Sequence, residues 1–159
     1  MRWGSAVLAA MVAAAAGAGG AEAQGRPLSV SGANQLTFAT VFPGVPEMVS
    51  RTDAVNAGAF QVRGANTKEV LLTFTLPAML SAAGGRSLPL QFGPNDGGWN
   101  TQNDLATARA FDPRVNLVVR TSQQGRLFLW LGGTALPSAT QAAGAYTGTL
   151  TLTAAYTGN

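Results

Sequence analysis

The sequence predicts an all-β protein, an antiparallel sandwich of seven to nine short strands, and two observations point there. The first is the end of the chain, GAYTGTLTLTAAYTGN, in which Tyr146, Gly148, Leu150, Leu152, Ala154 and Tyr156 alternate with Thr147, Thr149, Thr151, Thr153 and Ala155. Successive side chains of an extended strand point to opposite faces, so Leu150 and Leu152 share an apolar face while a row of threonines meets water. Such a strand requires neighbours for its backbone and a second layer over its apolar face. The second observation is the punctuation of the remaining chain: short alternating runs bounded by turn residues, with no long stretch of helical period.

Taken in order, residues 24–34 form an arm in which Leu28, Val30 and Gly32 alternate with Ser29 and Ser31. Residues 36–42 make a stronger strand, with Leu36, Phe38, Thr40 and Phe42 on one face, stopped by Pro43, Gly44 and Pro46. A brief pairing at 47–50 and a turn at 53–58 lead to a strand at 59–63 that sets Phe60 and Val62 inward. After a loop at 64–67, residues 70–76 alternate through Val70, Leu72, Phe74 and Leu76, and Pro77 closes the strand because it lacks a ladder donor. Residues 78–86 read as a loop with one helical turn at 78–82, and Leu88, Leu90 and Phe92 mark the next strand.

Residues 93–113 break the rhythm. Rich in Asn, Asp and Gly around Trp99, they read as a long connection with a helical turn at 104–110, and connections of that length in a compact domain tend to be functional or mobile. Val115, Leu117 and Val119 then face inward along 115–120, and a turn at 122–125 follows. Residues 126–131, apolar at Leu127, Phe128, Leu129, Trp130 and Leu131, read as a central strand covered on both faces. Gly132 and Gly133 break it, Leu136 and Pro137 lie at an edge, and a turn at 141–144 leads to the terminal strand.

The N-terminus reads differently. Met1 and Arg2, an apolar run at 6–16 and the small-x-small pattern Ala21-Glu22-Ala23 form a secretory signal peptide over residues 1–23. The apolar run is shorter than the ~20 residues a bilayer span needs, so no membrane span is expected. Cleavage leaves 136 of the 159 residues, the size of a single domain, exported to the periplasm, the cell surface or the exterior. Removing Arg2 and Glu22 leaves nine cations and six acids. This small arginine excess lacks the clustering that grips a nucleic-acid backbone, so no nucleic-acid partner is expected. With no cysteine, stability rests on packing and strand pairing. With no histidine either, Ser-His-Asp and Cys-His sites are excluded, and neither an enzyme nor a cofactor is expected.

The candidate constellations are modest. Asn95, Asp96, Asn100, Asn103 and Asp104 supply the oxygen ligands calcium takes, yet they lack any calcium-loop spacing and are also what turns require, so no metal is expected. Asp96, Asp104 and Asp112 invite paired-carboxylate chemistry but read as solvated loop charges. Arg109, Arg114, Arg120 and Arg126 read as separate surface cations rather than as a stripe for anionic polysaccharide or lipid. Trp99 is a candidate partner-binding platform, with burial as a lid over one end of the sandwich the preferred reading.

Two blocks carry a family resemblance. NQLTFATVFPG (residues 34–44) and GGTALPSATQAAGAYTGTLTLTAAY (residues 132–156) resemble the opening and close of the bacterial domain-of-unknown-function family 4402. The second block also resembles the related spore coat protein U domains, some of which are archaic pilus subunits. The resemblance implies an immunoglobulin-like, pilin-like sandwich and no chemistry. Ala39 stands where that family usually carries glycine.

The expected function is therefore that of an exported, non-catalytic structural subunit, pilin-like or a surface-coat protein, associating through strand edges. Its partners are other copies of the chain or a pilus chaperone and usher. Leu28 and Val30, on the 24–34 arm, are the candidate partner-binding residues if that arm is donated as a strand. The rival expectation is a monomeric binding module that holds a glycan or envelope partner through residues 93–113.

Overall fold

The computed structural model describes residues 26–158 and the backbone of residues 5–12. The cleavage pattern at residues 21–23 therefore lies outside the described residues. Every regular element described is a strand. In chain order they are β1 (Ser5–Val12), β2 (Ser29–Asn34), β3 (Leu36–Thr40), β4 (Glu47–Val49), β5 (Gly58–Arg63), β6 (Glu69–Thr75) and β7 (Met79–Ala82). There follow β8 (Arg86–Gln91), β9 (Gly97–Asn100), β10 (Arg109–Phe111), β11 (Leu117–Arg120), β12 (Arg126–Leu131), β13 (Gly133–Ala135) and β14 (Tyr146–Tyr156). Among the described residues no helix is long and apolar enough to cross a membrane.

The strands form two layers. One sheet runs β10-β9-β12-β5-β2; the other runs β11-β6-β14-β7-β8-β13-β4, and β1 joins it beside β14 with β3 beyond β1. Every pairing is antiparallel except β1 with β14, which is parallel. The expected sandwich is thus present, with the terminal strand inside the larger sheet.

Period-two alternation places the core between the layers. Phe60, Val62, Leu127 and Leu129 on one side meet Leu72, Phe74, Leu150 and Leu152 on the other, all nearly or fully buried. Each such side chain contributes about 1.5–3 kcal/mol by leaving water. Phe60 and Phe74 meet edge to face at 5.7 Å and 73°, the arrangement in which a ring's positive edge faces its neighbour's electron-rich face.

β14 is organised asymmetrically. Along one edge it holds β6 and then β7, which is one line of chain interrupted at Pro77. Thr151 lies opposite Thr75 while Thr147 lies opposite Ser81, so the interruption inserts two extra residues into the partner line. The other edge of β14 is taken from Tyr146 to Leu152 by β1.

Three local expectations are corrected. Residues 78–86 contain no helical turn: β7 and β8 form a hairpin around Gly84 and Gly85, both at positive φ. The 93–113 stretch likewise has no helical turn, because β9 and β10 pair with each other and β9 pairs with β12. The strand after residues 126–131 begins at Gly133 rather than at the Leu136-Pro137 edge, and it passes into the other sheet. Gly132 makes that crossing possible, since a Cβ there would fall 2.3 Å from the Val49 carbonyl oxygen and 2.6 Å from the Arg51 nitrogen. On β11, Val115 lies outside the strand and is exposed, while Val119 is buried as expected.

Candidate functional site

β1 lies between β14 and β3, and this placement defines the candidate site. β3 contributes Leu36 and Phe38 to the core, at 2% and 0% exposure, yet among the described residues its only strand partner is β1. Backbone bonding between β3 and the remaining chain includes Thr37 N–H donating to the Asn56 carbonyl at 2.9 Å. Asn34, at the turn into β3, donates through Nδ2 to the carbonyls of Val55 and Ala57 at 2.8 and 2.9 Å. β3 is therefore anchored at its beginning and joined to the sheet only through the strand beside it.

The register fixes the geometry of that slot. Ala6, Leu8, Ala10 and Val12 stand opposite Tyr146, Gly148, Leu150 and Leu152 of β14, while Ala6 and Leu8 also stand opposite Phe38 and Leu36 of β3. Tyr146, Leu150 and Leu152 are the buried side of β14, and Gly148 brings no side chain of its own. The slot is thus one strand wide, flanked by buried apolar residues and bounded by two edges whose N–H and C=O groups need partners.

At one end of the slot the beginning of β14 is fixed by polar contacts. The Tyr146 hydroxyl donates to the Ala142 carbonyl at 2.7 Å and accepts from Gln141 Nε2 at 2.6 Å. Gln141 also reaches the Ser87 carbonyl, and Arg86 donates to the Ala143 carbonyl at 2.8 Å. These bonds pin the 138–145 turn to β8 and fix where β14 begins. At the far end the Tyr156 hydroxyl donates to the Arg26 carbonyl at 2.6 Å and accepts from Ala65 N–H.

The residues singled out from sequence fall elsewhere. Leu28 and Val30 are half-buried and pack against the core, and Val30 pairs with Val62 across β2 and β5. Trp99 also packs against the core, with the Arg109 guanidinium over its ring at 5.7 Å. Asp96 accepts from Gly93 N–H at 2.6 Å, and Asp104 accepts from Ala106 N–H and the Thr107 hydroxyl. Asp112 pairs with Arg114 at 2.7 Å, and hydrogen bonds from the Arg114 side chain and backbone lower its pKa to about 2. The three carboxylates are thus each committed to their own turns, the use expected of Asp in loops. Among the described residues no cluster of three or more His, Cys, Asp or Glu is placed to hold a metal.

Sequence reasoning missed two features. The slot joins residues more than a hundred positions apart, and no local pattern marks a parallel long-range pairing. The outer face of β12 is the other: Phe128 is half-exposed beside Trp130, which a run apolar at every position conceals.

A comparison with curated proteins finds no match. The family model described as "Domain of unknown function (DUF4402)" matches residues 9–156, and the chain therefore belongs to the DUF4402 family.

Proposed function

We propose that this protein is an exported, non-catalytic structural subunit, pilin-like in kind, that joins its neighbours through the strand slot between β3 and β14. The observation that supports this reading is the identity of the strand in the slot. β1 (Ser5–Val12) falls almost wholly within the apolar run at 6–16 that reads as the core of a secretory signal, so cleavage after Ala23 would take β1 away. Both edges would then be open, with Leu36, Phe38, Leu150 and Leu152 beside a gap one strand wide. Exposed edges and uncovered apolar groups both favour capture of an extended segment from another chain. The resemblance of residues 132–156 to spore coat protein U domains agrees with such an assembly.

The 24–34 arm of a neighbouring copy is the donor the sequence offers, although Ser29–Asn34 would first have to leave β5. The absence of histidine and cysteine, and the use of the loop carboxylates in turns, favour a structural over a catalytic role. The test is to compare the chain beginning at Gln24 with one beginning at Gln35 by sedimentation over a concentration series. Concentration-dependent self-association that requires the arm supports the proposal. Monomers of equal stability in both forms would contradict it.

A further inference from the structure

The outer face of the five-stranded sheet carries a second feature, away from the slot and bordered on one side by Ala33 of β2. β12 points Arg126, Phe128 and Trp130 away from the core, and β5 points Ala59, Gln61 and Arg63 the same way. Trp130 is only 7% exposed, yet it does not belong to the core cluster. It lies between two small residues in register, Ala59 and Gly98, and this leaves a depression of about 320 Å³ lined by Phe128, Trp130, Gln61, Asn103 and Arg126. That volume lies at the lower end of the range for small-molecule sites.

The groups around the depression are of two kinds. Phe128 and Trp130 stack at 6.4 Å with planes 21° apart, so the indole backs a half-exposed phenyl ring that offers a flat apolar face. Beside it, Arg126 lies directly across from Arg63, an opposition of like charges that destabilises a sheet. Arg63 bends along its strand, donating from Nε and Nη2 to Gln61 Oε1 at 3.2 and 3.1 Å, which brings its guanidinium toward the rung of Phe128. Among the described residues the side chains of Arg126 and Asn103 have no hydrogen-bond partner, and the only salt bridge is Arg114 with Asp112.

We propose that this face binds a carboxylate-bearing polysaccharide. A pyranose ring has an apolar face of C–H groups that packs on an aromatic ring. Its carboxylate relieves the opposed guanidiniums, which form charge-assisted, forked hydrogen bonds to such a group. Its hydroxyls find an amide donor on Gln61, whose oxygen is taken by Arg63, and a donor and an acceptor on Asn103. A bare polyanion uses the arginines but not Phe128, and a neutral glycan uses Phe128 but leaves the arginines opposed.

The test is calorimetric titration of the full chain with oligogalacturonate, a neutral maltooligosaccharide of matching length, and polyphosphate. Oligogalacturonate is expected to bind at least about tenfold more tightly than either control. Arg126→Gln and Phe128→Leu, the second keeping apolar bulk without a ring, are each expected to weaken it about tenfold while leaving the melting temperature within a few degrees. No binding of oligogalacturonate would overturn the proposal. So would equal binding of the neutral oligosaccharide, equal binding of polyphosphate, or affinity that neither variant changes.

Discussion

Replacing Phe38 by alanine tests how the slot is held together. Phe38 is fully buried on β3, so the truncation in the full chain removes a large side chain and leaves a cavity, at a cost of about 3–5 kcal/mol. That is a large fraction of the roughly 5–15 kcal/mol that stabilises a domain. In urea, with a slope of about 2 kcal/mol per molar, the midpoint should fall by about 2 M. The same substitution in the chain beginning at Gln24 should behave differently. Without β1, β3 has no strand partner among the described residues and is expected to leave the sheet, taking Phe38 out of the core, so that the substitution becomes a surface change of about 0.5 kcal/mol or less. Truncation and substitution should therefore be coupled by at least about 2 kcal/mol in a double-mutant cycle, measured at concentrations low enough to keep the shortened chain monomeric. Full additivity would refute the reasoning, because it would mean that β3 is held by the rest of the sandwich and not by its neighbour in the slot.

Two further predictions concern the supports around the core. Thr121, at 4% exposure, donates its hydroxyl to the Ala65 carbonyl at 2.7 Å and accepts from Lys68 N–H at 3.0 Å. Thr121→Val should lower stability by about 1–3 kcal/mol by leaving those groups unpaired, whereas Thr121→Ser should retain most of it; equal losses in thermal melts would show that the hydroxyl is not responsible. Asp112 has a folded-state pKa of about 2 against 3.8, so its contribution is present above about pH 4 and is lost as pH falls toward 2. Asp112→Asn should flatten the melting temperature over that interval, and an unchanged acid limb would count against the Arg114 pairing as its source.

The strands that the sequence makes legible are those whose two faces meet different surroundings. Residues 70–76 and 146–156 alternate because one side meets the core and the other meets water. β7 and β9 were hidden for opposite reasons. The Ala-rich stretch at 78–86 suits a helical turn as well as a strand, and only the pairing of β7 with β8 and β14 decides between them. β9 carries Gly97 and Gly98, poor strand formers, and it is extended because β12 and β10 flank it. The same limit applies to the sites. Leu28, Val30 and Trp99 stand out in sequence as apolar residues in polar stretches, which is also the mark of residues that fold inward. Leu36, Phe38, Leu150 and Leu152 read simply as core, and their position beside the slot follows only from where β1 lies. Phe128 gives no local sign of facing outward, since every residue from 127 to 131 is apolar and only the pairing of β12 with β5 and β9 decides which of its faces meets the core.

Assembly through the slot requires a strand that the shortened chain does not supply from within a single molecule. Backbone amide exchange of the chain beginning at Gln24, read at residues 36–40 and 146–152 across a concentration series, tests this most directly. Protection of both segments that appears at high concentration and disappears on dilution is the predicted result. Equal and strong protection of both at every concentration would contradict it, since it would mean that the two edges close on each other or on a strand of their own chain.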